Sequence, residues 1–255
     1  MDRFDRLSAL MQHFQMSVQP VDAGEGNLIV FADPETGKPS GIEFLPHANV
    51  TNSAKAPQHR LLEAQATWGG DSNPLVASLP HRLVMAADGS DDTSMLLQIV
   101  VEEASAGRCG SGSALNRLCE VLMIRLLRRE IERGAATPGL LAGLAHVKLS
   151  RALVAMHDNP GRRWRNSDLA EIAGMSLSRF SEHFVAQVGE TPQSYLRRWR
   201  MILARQQIAS GERIQSVARR LGYASTEALS RAFSRHYGRC PVSFRKESRE
   251  TLSMR

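Results

Sequence analysis

The sequence has no long apolar run and few cysteines. Its densest apolar stretches, Met95–Val101 and Val121–Ile124, are far shorter than the ~20 residues that cross a bilayer, so no membrane partner is predicted. Residues 1–15 are charged and lack the apolar core of a secretory signal. Cys109, Cys119 and Cys240 are odd in number and form no disulfide framework, and reduced thiols are typical of the cytoplasm. These absences predict a cytoplasmic protein.

Motifs that carry enzyme chemistry are also missing. The chain contains no G-x-x-x-x-G-K-[ST] phosphate loop, and Ser111 and Ser113 lie in a glycine-rich linker rather than in a strand–G-x-S-x-G–helix elbow. The histidines of the first half are widely scattered and form no short ligand cluster: His13, His47, His59 and His81. The sequence therefore predicts a protein without catalytic residues, metal or cofactor.

Charge is distributed unevenly along the chain. Residues 1–145 hold 12 Lys and Arg against 17 Asp and Glu, a net charge of −5. Residues 146–255 hold 20 basic and 9 acidic side chains, a net charge of +11. Such an excess over about 110 residues is typical of a segment that binds a polyanion, provided that a scaffold presents the charge.

The basic half contains a repeat. Residues 168–196 match residues 215–245 at an offset of 48 residues, which becomes 49 after one extra residue in the second copy. The pairs that carry the match are Leu169 with Val217, Ala170 with Ala218, Gly174 with Gly222, Ser176 with Ser225, Phe180 with Leu229, Phe184 with Phe233, Gly189 with Gly238, Pro192 with Pro241 and Tyr195 with Phe244.

Each copy predicts a helix-turn-helix. A short helix ends at Gly174 or Gly222, because glycine suits the left-handed conformation that closes a helix. Ser176 or Ser225 then stands as the N-cap of a second helix, which buries one apolar face and leaves the other face polar. The second helix of such a unit enters the major groove of DNA. Two copies at matched spacing make this reading far more specific than one.

A long helix is predicted between the copies, over Thr191–Ser210. Thr191 is its N-cap, Pro192 its first residue, and Gly211 its stop. At 1.5 Å per residue, 18 helical residues span about 27 Å. Such a helix can hold two recognition helices about one DNA turn (~34 Å) apart, so that one chain reads two successive major-groove segments.

These residues resemble the DNA-binding domain of the AraC/XylS family of bacterial transcription regulators. The resemblance rests on LAEIAGMSLSRFSEHF, GETPQSYLRRWRMILAR and RLGYASTEALSRAFSRHYGRCPVSFR, and it extends from about Lys148 to Lys246. It implies seven helices, with an opening helix at Leu149–His157. It also implies DNA-binding roles by position. Base-reading residues would be Ser178, Ser181, Glu182, Thr226, Glu227, Ser230 and Arg231, and phosphate contacts would be Arg179, Arg197, Arg198, Arg235 and Arg239.

The acidic half predicts a few strands followed by helices. Punctuated apolar runs over residues 26–70 favour β-strands, and helices are expected at 92–106 and 113–133. This order resembles the cupin-type sensor domain of one AraC branch, here a compact or eroded cupin. The second helix has an apolar face wide enough to pack on its own domain and on a partner, so a homodimer is expected through Leu115, Leu118, Leu122 and Leu126. An exposed redox thiol at Cys109 is a further hypothesis.

The predicted protein is an α+β chain of two domains. A cupin-like sensor and dimerisation domain would cover residues 1–145, and an all-α DNA-binding domain 146–248, followed by a tail at 249–255. Within the second domain, helix-turn-helix units are expected at about 166–187 and 214–236, with the linker helix at 192–210. We expect no nucleotide or metal cofactor.

The expected function is sequence-specific regulation of transcription, more often activation in this family, at the bacterial nucleoid. Promoter DNA is the predicted partner, with RNA polymerase and an unknown small-molecule effector as candidate partners. Two alternatives stay open: a non-specific architectural DNA binder, and a cupin enzyme with a DNA-binding tail.

Overall fold

The computed structural model describes residues 5–14, 16–47, 59–68, 73–87, 92–134 and 137–245. It divides into two compact units, one of residues 14–136 and one that combines residues 1–13 with 137–255. The chain therefore divides at 136/137, nine residues before the expected boundary, and its N-terminal segment joins the basic half. Arg6 donates to the carbonyl of Leu144 at 3.0 Å, and Leu10 is fully buried. The expected tail at 249–255 lies outside the described residues.

The unit of residues 14–136 contains one antiparallel sheet of five strands in its described part. The strands are β1 (Met16–Pro20), β2 (Leu28–Ala32), β3 (Pro39–Phe44), β4 (Arg60–Trp68) and β5 (Leu83–Ala86), in the spatial order β1-β4-β2-β3-β5. The central strand β2 pairs Val30 with Ile42 of β3 and with Leu62 of β4. Neither β1 nor β5 was expected from the sequence.

Helices α2 (Pro74–Ala77), α3 (Asp92–Ala106) and α4 (Ser111–Arg133) complete this unit. Helix α3 packs on β3 and β4, and α4 packs on α3, β1 and β5. Leu115, Leu122 and Leu126 are buried by this packing, whereas Leu118 is half-buried. Three of the four leucines expected at a dimer interface therefore pack in the core of their own unit, and the interface itself stays a prediction.

The thiols and histidines of this unit lie in different environments. Cys119 is fully buried, which raises the pKa of its thiol to about 12, while Cys109 is exposed before α4. The rings of His47 and His81 lie 5.3 Å apart, although the sequence separates them widely. Within the described ranges no group of three or more His, Cys, Asp or Glu side chains is placed to hold a metal ion.

The second unit is helical. Its elements are α1 (Ser8–His13), α5 (Leu140–Ala145), α6 (Leu149–Asp158), α7 (Asn166–Ala173), α8 (Leu177–Val188), α9 (Pro192–Ala209), α10 (Ile214–Arg220) and α11 (Thr226–Tyr237), and residues 241–245 are also helical. Over the described residues no helix is both long and apolar enough to span a membrane.

The core of this unit forms around α9. Tyr195, Trp199 and Ile208 are buried along it, and the hydroxyl of Tyr195 shares a 2.6 Å hydrogen bond with Nε2 of the buried His157 on α6. The His157 ring also lies 4.4 Å from that of Trp199. Burial raises the pKa of the Tyr195 hydroxyl. Helix α9 supplies core residues over its whole length, and α8, α10 and α11 pack on it.

Candidate nucleic-acid interface

Two helix-turn-helix units repeat the same turn in atomic detail. In the first, α7 ends where the N–H of Met175 donates to Ala170 and that of Gly174 donates to Glu171. In the second, the N–H of Tyr223 donates to Ala218 and that of Gly222 to Arg219. Both pairs form a Schellman motif, in which glycine takes positive φ, +62° at Gly174 and +76° at Gly222. The sequence repeat is therefore a structural repeat.

The second helix of each unit buries one face and exposes the other. Phe180, Phe184 and Val188 of α8 are buried, as are Leu229 and Phe233 of α11. The predicted base-reading residues all lie away from these cores. Ser178, Glu182, Glu227 and Arg231 are exposed, and Ser181, Thr226 and Ser230 are partly exposed. Both helices thus present the surface that a major groove can accept.

The start of α11 carries a defined acceptor and donor. A hydrogen bond from Ser225 lowers the pKa of the Glu227 carboxyl, and nearby Arg231 lowers it further. Glu227 therefore stays ionised near neutral pH and can accept from a cytosine amino group, while Arg231 can donate to guanine.

Capping differs between the two copies. The hydroxyl of Ser225 accepts the N–H of Ala228 at 3.2 Å, as an N-cap should. Ser176 occupies the N-cap position of α8, but its side chain makes no capping hydrogen bond and lies 3.5 Å from the Ser178 hydroxyl. Ser176 is therefore the N-cap residue of α8, as expected, but the capping hydrogen bond expected from its hydroxyl is not formed.

Arg200, near the middle of α9, connects the two copies. Its Nε donates to the carbonyl of Pro160 at 2.6 Å and its Nη2 to that of Arg162 at 2.9 Å, both in the loop that precedes α7. The same guanidinium lies 6.0 Å from the ring centre of Tyr223, in the turn of the second copy. Burial lowers the pKa of Arg200, although not enough to discharge a guanidinium at neutral pH.

The backbones of these two loops touch beside Arg200. A Cβ on Gly161 would overlap with the carbonyl oxygen of Arg220, and a Cβ on Gly222 would overlap with that of Gly161. The two copies are therefore held by direct backbone packing and by a side chain of their shared helix. Sequence analysis did not single out Arg200 or Gly161, because their partners are distant in the chain.

The five arginines expected to contact phosphate are not equivalent. Arg179, Arg197, Arg235 and Arg239 are exposed. Arg198 is partly buried, pairs with Glu190 at 2.6 Å, and lies 5.3 Å from the ring centre of Tyr195. A phosphate contact by Arg198 would compete with this ion pair, so its predicted phosphate role stays a prediction.

A groove beside the first copy contains His146 and His183, which no sequence motif marks as functional. It has a volume of about 850 Å³, and it is lined by His146, Lys148, Arg179 and His183, among others. Nδ1 of His146 accepts the N–H groups of Lys148 and Leu149 at the start of α6, each at 3.2 Å. Burial, the neighbouring His183 and Lys148 lower the pKa of His146. Its neutral ring acts as a helix cap.

Comparisons with known proteins agree with both units. A family described as a helix-turn-helix domain matches residues 169–247, and a family described as a cupin matches residues 11–132. A putative AraC-like transcription regulator of Streptomyces lividans is 30% identical over 244 residues, which cover 89% of this chain and 80% of that protein.

Two further matches cover different extents. A putative AraC-like transcription regulator of Streptomyces antibioticus is 36% identical over 59% of this chain, which spans only 50% of that protein. The crystal structure of ToxT from Vibrio cholerae O395 aligns with a TM-score of 0.41 and 11% identity, over 91% of this chain and 97% of that one. The identity and coverage of the Streptomyces lividans relative establish the family: the chain belongs to the AraC-like transcription regulators.

Proposed function

We propose that the protein regulates transcription by reading two successive major-groove segments of promoter DNA. The observation that carries this proposal is the exposure of two recognition helices, α8 and α11, at the two ends of one packed helix. Both lie in a segment with a net charge of +11. Base contacts are assigned to the seven predicted residues of α8 and α11, and phosphate contacts to Arg179, Arg197, Arg235 and Arg239.

Binding-site selection from fragmented genomic DNA tests this proposal, with purified full-length protein at about 150 mM salt. We expect a two-part motif whose parts lie about one helical turn apart. Enrichment of one part alone would contradict reading by both helices. Affinity without any enriched sequence would favour an architectural binder, because counterion release alone gives affinity but no specificity.

The proposed assembly is a homodimer formed by the hairpin of α3 and α4. Of the four predicted leucines, Leu118 is partly exposed, and the exposed apolar side chains of this hairpin are Met95 (58% exposed), Ile99 (49%) and Val121 (44%). A second copy would bury them and raise the affinity for paired sites through effective concentration. Sedimentation of an Ile99→Lys variant should show a shift to monomer, whereas an Arg117→Lys control on the exposed side of α4 should not.

Control of activity is proposed to enter through residues 14–136, by a small-molecule effector or by oxidation. Of the two cysteines in this unit, Cys109 is the exposed one, and the raised pKa of Cys119 keeps that thiol unreactive. Activation of promoters through contact with RNA polymerase, in the bacterial cytoplasm, completes the proposal. Transcription from a selected promoter, with and without the regulator, determines the direction of control.

A further inference from the structure

The first recognition helix exposes two large apolar side chains. Leu177 at the start of α8 is 52% exposed, and Val185 two turns later is 43% exposed. Val185 follows Ser178, Ser181 and Glu182 by seven, four and three residues, which are the spacings that share one face of a helix. Val185 therefore lies within the face assigned to base reading, whereas Leu177 is an exposed side chain of the first turn, at the position equivalent to Thr226.

The second recognition helix has polar residues at the same two positions. Thr226 corresponds to Leu177, and Ser234 corresponds to Val185, at the repeat offset of 49. The helix-turn-helix scaffold is thus formed equally well with hydroxyl side chains at these places. Folding does not require Leu177 or Val185, because Phe180 and Phe184 already provide the core contacts of α8.

The neighbours of these side chains favour close approach to a groove. Ser178 and Ser181 are small, so they do not hold the α8 backbone away from base edges. Apolar side chains that lie at a base edge have one apolar group to contact in the major groove, the 5-methyl of thymine. Leu177 and Val185 are about 12 Å apart along the helix axis, so each would contact a different base pair.

We propose that α8 recognises thymine through Leu177 and Val185, whose side chains pack against the 5-methyl groups of two thymines in its half-site. This inference rests on the proposed function, since it requires α8 to lie in the major groove. It gives the two copies different chemistry: α8 makes methyl contacts, whereas in α11 Arg231 donates hydrogen bonds and Glu227 accepts them.

Uracil substitution tests the proposal, because deoxyuridine lacks only the 5-methyl group. Synthetic duplexes of the selected motif would carry deoxyuridine at each thymine in turn, and the affinity of the full-length protein would be measured for each. We expect a loss of about fourfold per contacted methyl group, the value of one buried methylene. In the double variant Leu177→Ser/Val185→Ser, which leaves no methyl group at either position, uracil and thymine duplexes should bind equally.

Matched variants separate this effect from general damage. Val242→Ser replaces another exposed valine, outside both recognition helices, and should keep the full uracil penalty. The single variants Leu177→Ser and Val185→Ser each remove the apolar side chain at one position and should each lose the penalty at one thymine. Circular dichroism melts then verify that each variant is folded.

The outcomes distinguish this inference from the function on which it rests. Specific binding in which no thymine methyl matters to the wild type would overturn the inference and leave the proposed function standing. A uracil penalty that the double variant keeps unchanged would also overturn it, because other residues would then contact the methyl groups. Selection that enriches no motif would count against both.

Discussion

The two helix-turn-helix copies share a scaffold and differ in the surface it presents. Both close their first helix with the same pair of backbone hydrogen bonds around a glycine with positive φ. At positions outside the buried core, the first copy has Leu177 and Val185 and the second has Thr226, Ser234 and Arg231. Duplication of a small set of buried residues thus preserves the fold and leaves the reading surface of each copy to diverge.

The largest expected effect comes from separating the copies. Arg200→Ala removes two hydrogen bonds from a charged donor and leaves two loop carbonyls without that partner, which should cost about 2 to 3 kcal/mol of unfolding free energy. The variant should also tolerate altered spacing between half-sites better than the wild type. Urea unfolding and binding to spacer variants measure the two effects. Arg197→Ala, an exposed arginine of the same helix, is the stability control; an equal loss there would contradict the assigned role.

A second substitution tests base recognition by α11, the recognition helix of the second copy. Arg231→Ala should weaken specific binding by about 2 kcal/mol, or about thirtyfold, and relax preference at one or two base pairs of one half-site. Glu182→Ala, at the equivalent position of α8, should relax the other half-site instead. Selection with both variants determines which half is affected. If both variants alter the same base pairs, the assignment of one half-site to each helix fails.

A smaller difference in stability is expected between the two serines at the N-caps of α11 and α8. Ser225→Ala should reduce stability by about 1 kcal/mol, because the Ser225 hydroxyl accepts the N–H of Ala228. Ser176→Ala removes no such bond and should cost only a few tenths of that amount. Thermal unfolding of the two variants side by side measures the difference. Equal losses would mean that both serines cap their helices in solution.

The smallest expected effect is a dependence of folding stability on pH, caused by His146 beside the first copy. The pKa of His146 is lowered in the folded protein, mainly by burial, with contributions from His183 and Lys148. Its neutral ring therefore stabilises the fold fully above the unfolded pKa of about 6.5, and this contribution is lost as the pH falls through the lower folded value.

His146→Asn keeps an acceptor for the cap without a titrating ring. The difference in melting temperature between pH 7.5 and pH 5.5 should shrink, by an amount equivalent to less than about 1 kcal/mol, the value of a helix cap. Some dependence should persist, because burial and Arg198 also lower the pKa of His236 on α11. If the variant keeps the full difference in melting temperature between the two pH values, His146 is not the source of that difference.

Sequence patterns predicted the helices of the basic half within one or two residues. Glycine stops, proline at the first helical position and apolar spacing are local signals, and Pro192–Ala209 and Thr226–Tyr237 begin and end where those signals lie. The secondary structure of the acidic half was harder to predict from the sequence. Strands β1 and β5 pair with partners distant in the chain, and short runs with little periodicity do not specify such pairing.

The candidate site could be predicted as a set of positions but not as a set of interactions. Ser176 and Ser225 are the same residue in the same place of the repeat, yet only one makes the cap, because hydrogen-bond geometry depends on how each turn packs. Arg198 and Arg200 both carry charge on α9, but the contacts with Glu190 and with the Pro160 carbonyl follow from folding. Residue type and periodicity do not predict such long-range contacts.

The backbone contact between Gly161 and Gly222 has a consequence for how promoters evolve. If this contact is kept when DNA is bound, the protein fixes the spacing of its half-sites, and one inserted base pair would turn the second half-site by about 35° away from its helix. New targets should therefore arise by base substitution within either half-site, and seldom by insertion or deletion between them. Across a genome, the distance between half-sites should be nearly invariant while the intervening bases drift.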